Sequence, residues 1–250
     1  MNHLRFAYVL VYATVMIFLT ACGGGGREKN TADTTLTDTD TAASSVSATT
    51  ETNTTITTPQ NMMLVRHKVA NFSKWLPSYD EHDSMRLANQ IHSYVIGRGV
   101  KDSNMVVVAL KTDDPDKAKT FGKDPSLRKA MQKGGVTGAP DITYVTMTYQ
   151  DTVMLQSDVR SWTTFTVKDW DTWQKTFEAG KQDRIDNGLA VRAYGHEADD
   201  NKKVVVVVAV LDSAKAAAFW KSDMLKQRMA EGGVVGNPER FLFRVVKRYK

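Results

Sequence analysis

Cysteine is nearly missing from this chain: 250 residues contain one, Cys22. Everything after it is therefore free of disulfides, thiol nucleophiles and cysteine-ligated metal. Long hydrophobic runs are missing too. The stretch over residues 6–18 is short and N-terminal, of signal-peptide length rather than that of a spanning helix. Charge of one sign is not concentrated anywhere. The net charge of +5 is spread over segments that also carry Asp and Glu, and no basic cluster is interleaved with aromatics, so nucleic acid is not an expected partner. No two histidines share an element at ligand spacing, so neither a metal nor a cofactor is expected.

What is present begins at the N-terminus. Arg5 precedes the apolar stretch, and Leu19-Thr20-Ala21-Cys22 follows it. That order of an apolar residue, two small residues and cysteine resembles the lipobox of bacterial lipoproteins. The resemblance implies a signal peptide over residues 1–22, diacylglyceration of the Cys22 thiol, and cleavage that leaves Cys22 as the first mature residue. Acyl chains contribute roughly 0.8 kcal/mol per buried methylene, enough to hold the protein at a bilayer without crossing it. The expected location is the cell envelope, at the outer or inner membrane, with the folded part facing the periplasm or the exterior. Residues 23–60 are rich in Gly, Thr, Ser, Ala and Asp, with almost no aliphatic anchor. They read as a disordered tether averaging on the order of 35 Å end to end.

A shift of 98 positions aligns residues 64–147 with 162–245 without a gap, roughly a quarter of the pairs being identical. Trp75 meets Trp173, Arg86 meets Arg184, Gly97 meets Gly195, and the Gly-Gly-Val-x-Gly-x-Pro segments at 134–140 and 232–238 coincide. The chain reads as a duplication: a first module over 61–150, a linker over 151–160 and a second module over 161–250. Each module reads as β-α-β-β-α-β. Alternating strands begin at Met63 and near Trp162, Asn71 and Asp169 cap the first helices, and Asp114 and Asp212 cap the second. Glycine pairs end those helices, and final strands are expected over about 141–149 and 239–247. The fold class is α+β: two ferredoxin-like units, each a four-stranded antiparallel sheet with helices on one face. Two bare valine-rich faces would be an association hazard, so each is expected to cover the other.

The openings at 69–75 and 167–173, the arginines at 86 and 184, Asp-x-x-x-Ala-x-x-Phe at 114–121 and 212–219, and the glycine-rich exits resemble the dimeric α/β-barrel superfamily. The similarity is to its antibiotic-biosynthesis-monooxygenase-like and cyclase-like branch. It implies a barrel closed within one chain, monomeric as a chain, with a small apolar or aromatic molecule held in the interior or between sheet and helices. These positions bear the fold, and fold does not fix chemistry.

On strand two, Ser93, Val95, Val191 and Ala193 suit the helix-facing side. The opposite parity places His92, Tyr94, Arg192, Tyr194 and His196 toward the barrel interior, either as groups that orient a ligand or as side chains that decorate an exposed strand end or satisfy one another in the interface. His67 aligns with Phe165 and reads as a hydrogen-bonded interior histidine rather than a metal ligand, and joins these residues as a candidate ligand-binding group; His82 reads as a helix-face histidine near Asp80 or Asp83. Arg86 and Arg184 read as structural, bound to loop carbonyls or to the cap aspartates. No catalytic residue is assigned. The expected function is a membrane-tethered binding or structural module. The alternative is a cofactor-independent monooxygenase, an isomerase or a haem-binding or haem-degrading enzyme of the same superfamily.

Overall fold

Strand β2 (Gln60–Val69) shows how the layers arise, because Met62 and Leu64 point one way, Met63 and Val65 the other, and all four are buried. A strand with period two and both faces buried must separate two apolar layers. In this computed structural model residues 54–249 are described, all within one unit, Glu51–Lys250.

A two-residue strand β1 (Thr55–Ile56) precedes the first half: β2, α1 (Phe72–Glu81), α2 (Asp83–Ala88), β3 (Ile91–Gly99), β4 (Met105–Thr112), α3 (Pro115–Gly122), α4 (Pro125–Lys133) and β5 (Val136–Asp151). The same order returns as β6 (Val159–Val167), α5 (Trp170–Ala179), α6 (Lys181–Asp186), β7 (Leu189–Glu197), β8 (Asp200–Val210), α7 (Ser213–Phe219), α8 (Asp223–Glu231) and β9 (Val234–Arg248). The caps expected at Asn71, Asp114, Asp169 and Asp212 are in place, and Asp124 and Ser222 add two more: each side chain accepts from a backbone N–H of the first helical turn.

Three local expectations are corrected. The first helix of each half is broken in two, at His82 and at Gly180, whose ψ angles of 18° and 17° leave the helical region. The last strands start at Val136 and Val234, because pairing with Val69 and Val167 begins there and bulges then carry the ladder through the glycine-rich segment. Within the segment over 23–60 expected to be disordered, Thr55 and Ile56 form a strand, pairing with Asp151 and Gln150.

All pairings are antiparallel and run β5-β2-β4-β3-β9-β6-β8-β7, with β7 returning to β5, so eight strands close a barrel and β1 lies outside it. The two seams, β3–β9 and β5–β7, join the halves edge to edge. Each seam holds one of the aligned glycines. A Cβ on Gly97 would lie 2.2 Å from a Phe243 ring carbon, and one on Gly195 would lie 2.1 Å from the Thr146 carbonyl oxygen. Gly188 takes a φ of 68° before β7, and its aligned residue Gln90 takes 58° before β3. The first half thus keeps a left-handed turn without the glycine that suits it.

Three cores result. Trp75, Ile91, Val108 and Phe121 pack between helices and sheet in the first half, and Trp173, Leu189, Val206 and Phe219 do so in the second. The third core fills the barrel and is drawn from both halves: Met62, Leu64, Val107, Val145, Met147, Trp162, Val205 and Phe243.

Candidate functional site

Bulges decide which polar groups enter the barrel. Register shifts between Ser93 and Val95 in β3, and between Val191 and Ala193 in β7, each insert a residue, so parity reverses beyond them. Tyr94 and Val95 therefore both line the interior cavity, as do Arg192 and Ala193, while Ile96 and Tyr194 turn to the helix side. The interior is filled apart from a cavity of about 100 Å³.

Of the strand-two residues expected inside, Tyr94 and Arg192 line the cavity. Three are corrected. Tyr194 lies in the second helix-side core, stacked on Tyr149 at 5.0 Å, and donates to the Glu178 carboxylate at 2.5 Å. Burial, and then the hydrogen bond to the Glu178 carboxylate, push its phenol pKa well up. His196 packs edge-on against Trp170 at 4.8 Å, with Nδ1 2.8 Å from the Glu197 carbonyl. His92 precedes the bulge and is exposed, 2.7 Å from the Asp113 carboxylate. In each case one unforeseen extra residue, or the strand's exposed start, sets the outcome.

His67 behaves differently. It is 4% exposed, on the helix-facing side of β2, and neither ring nitrogen has a hydrogen-bond partner. Its ring meets Trp75 at 5.4 Å. Burial pushes its pKa down to about 4, so the imidazole is neutral at physiological pH. Beside it lies a cavity of about 80 Å³ between sheet and helices, walled by Met63, Met85, Met131, Phe121 and Leu127. One side of this cleft is polar and well organised. Tyr79 Oη lies 2.8 Å from Ser93 Oγ, Arg86 donates to Ser93 and to Asp83 at 3.2 and 3.0 Å, and its guanidinium covers the Tyr79 ring at 3.8 Å. The cap aspartate Asp114, considered as a partner for Arg86, instead holds the start of α3. His82 lines the same cleft, its Nδ1 2.7 Å from the Ser78 carbonyl rather than beside Asp80 or Asp83.

The corresponding cleft of the second half, about 110 Å³, carries Phe165 where the first has His67 and Gly180 where the first has His82. A wider hollow of about 640 Å³ lies over β5 and β7, lined in part by Tyr194, Glu178 and Gln174, which bond one another. The unpartnered imidazole therefore singles out the first cleft. The lipidation residue Cys22 lies outside the described residues. Among those described, no cluster of His, Asp or Glu could hold a metal ion, and no helix is long and apolar enough to cross a membrane.

Several groups at these sites escaped the sequence reading. Ser93 and Asp83 bond the cleft-lining Tyr79 and Arg86, a meeting of three elements that no spacing encodes. Arg160 and Arg248 line the barrel cavity with Arg192. The signal for them was present: at the 98-residue offset the arginines at 160, 192 and 248 replace Met62, Tyr94 and Gln150.

No protein-family model matches the chain, and no curated protein matches it. Among solved structures it is similar to a monooxygenase-like protein from Fusobacterium nucleatum, with 9% identity over 76% of this chain and 93% of that one and a TM-score of 0.51. It is also similar to an anthrone oxidase-like protein, with 12% identity over 75% and 92% and a TM-score of 0.52. At such identities the likeness is one of fold, and each match spans more of this chain than either half contains. The shared fold is a dimeric α/β barrel, both halves of which a single chain supplies here.

Proposed function

We propose that this chain is a lipid-anchored binding protein whose first cleft receives a small apolar or aromatic molecule bearing one hydroxyl group. The observation that carries the reading is His67, buried beside an apolar cavity with both nitrogens unpaired. An unsatisfied buried polar group costs roughly 1–3 kcal/mol, and a ligand hydroxyl would relieve it. Trp75 offers the ring face, and Met63, Met85 and Met131 form a wall that re-packs readily.

Chemistry at this site is less well supported than binding. A histidine whose pKa is held near 4 takes up almost no proton at neutral pH, which makes it a poor general base. Haem, a group found within the superfamily, does not fit: the cleft of about 80 Å³ is several-fold below the roughly 300–1,000 Å³ of pockets for larger ligands.

Methyl-labelled methionine reports binding directly. With the full chain, phenol and 1-naphthol are expected to shift the Met63, Met85 and Met131 resonances saturably, and His67→Phe to weaken phenol binding roughly tenfold while sparing toluene. Absence of shifts at millimolar probe, or shifts confined to Met62 and Met147 inside the barrel, would overturn the reading. Oxygen consumption with a quinol would replace it by the monooxygenase-like alternative.

The anchor is proposed from the lipobox resemblance and from the Thr-rich segment between Cys22 and β1. It places the barrel in the cell envelope, a tether's length from a membrane. Cells fed a clickable palmitate analogue should label the wild-type chain and not Cys22→Ala; label retained by the variant would remove the anchor from the proposal.

A further inference from the structure

The barrel interior has an unusual balance of charge for a β-core. Arg160 and Arg192 are 3% and 8% exposed, and Arg248 stands at the exposed rim of the same cavity. Against these three guanidinium groups the cavity wall has one carboxylate, Asp151. Buried cations ordinarily carry matching partners, since desolvation is costly without them.

The partners present do not exhaust the donors. Arg160 Nη1 donates to the carbonyls of Ser157 and Val159 at 2.8 and 2.9 Å, and Arg192 Nη2 donates to that of Val153 at 2.6 Å. Arg192 Nη1 is buried and makes no hydrogen bond, although the Asp151 carboxylate lies 3.4 Å away. Trp162, whose side chain also lines the cavity, has its indole Nε1 buried without an acceptor. Two unmet donors, on Arg192 and Trp162, and two uncompensated positive charges belong to residues that line about 100 Å³ of space.

We propose that this cavity is a binding site for the carboxylate of a small organic acid, distinct from the His67 cleft and independent of it. The carboxylate accepts from Arg192 and Trp162 and lies against Arg160 and Arg248. Its apolar body lies on Leu64, Val107, Val207 and Phe243, which form the rest of the wall. A guanidinium fork matches the two oxygens of a carboxylate, and the apolar wall disfavours an anion that is polar all round. The pKa of Arg160, held down to about 10 by burial and then by Arg192 and Arg248, has the direction expected of a cation lacking its counter-ion. The three arginines all belong to the second half, and the aligned Met62, Tyr94 and Gln150 line the same cavity, so the charge is not a by-product of building the barrel.

The test uses the full chain, methyl-labelled at methionine, titrated with benzoate and separately with inorganic phosphate. Benzoate is expected to shift Met62, Met147 and the Trp162 indole N–H while leaving Met63, Met85 and Met131 unmoved, so success or failure here is separable from that of the cleft. Arg192→Gln and Arg248→Ala are each expected to weaken benzoate binding roughly tenfold. If Arg192→Gln fails to fold, Arg248→Ala, an exposed position, still decides. The proposal is overturned if tens of millimolar benzoate shifts none of the three reporters, if phosphate shifts them and benzoate does not, or if Arg248→Ala binds benzoate as tightly as wild type.

Discussion

Gly195→Ala is expected to destabilise the protein by about 3 kcal/mol, at the upper end of the usual overpacking cost, because the added methyl group meets main chain rather than side chain. Its three nearest atoms would be the Thr146 carbonyl oxygen at 2.1 Å, Met147 Cα at 2.7 Å and Thr146 C at 2.9 Å. Those atoms belong to β5, the strand that closes the barrel against β7, and the only relief is to part the two strands. Gly97→Ala at the other seam meets two ring carbons of Phe243 first, at 2.2 and 2.8 Å, and a ring can turn where a peptide cannot. Urea unfolding should therefore rank Gly195→Ala below Gly97→Ala in midpoint, with similar slopes if both unfold in one step. Equal midpoints for Gly195→Ala and wild type would show that the seam tolerates a side chain.

Acid should weaken the unliganded fold through His67. In the unfolded chain the imidazole titrates near its ordinary 6.5, and in the fold near 4, so between those values the unfolded state binds the extra proton. The stabilisation is complete above about pH 6.5, is lost progressively as pH falls toward 4, and changes no further below that. Over the whole interval the loss is about 3 kcal/mol, and between about pH 7.5 and 4.5 it is about 2.5 kcal/mol. Carboxylates also titrate there, so the decisive measurement is a difference. His67→Phe, which installs the residue found at the aligned position 165, should remove that part of the pH dependence and leave the remainder. Parallel stability-versus-pH curves for the two proteins would mean that water or a charge already satisfies the ring.

Periodicity and capping made most of the architecture legible before any coordinates. Asn71, Asp114, Asp169 and Asp212 announce helices because a short acceptor before an apolar stripe has few other uses. The barrel followed from a different consideration, the need to cover two apolar sheet faces. What was not legible turns on insertions of a single residue. Nothing in Ser93-Tyr94-Val95 or Val191-Arg192-Ala193 marks a bulge, and without it the alternation puts Tyr194 and His196 on the wrong side. The helix breaks at His82 and Gly180 were hidden similarly, since the apolar spacing continues past them. His67 is interior as expected but lacks the hydrogen bond expected of it. That both its nitrogens would lack a partner depends on the neighbours contributed by α1, α2 and α4, which one strand's pattern does not contain.

The two seams have a consequence for how such a barrel can change over time. In a pair of identical subunits every substitution appears on both sides of the axis, and an arginine that enters the lumen enters it twice. Here each strand occurs once, so Arg160, Arg192 and Arg248 stand opposite Met62, Tyr94 and Gln150 without a mirrored set to repel them. Closure is also a unimolecular event, insensitive to dilution, so one chain keeps its lumen intact where a dissociating pair would lose it.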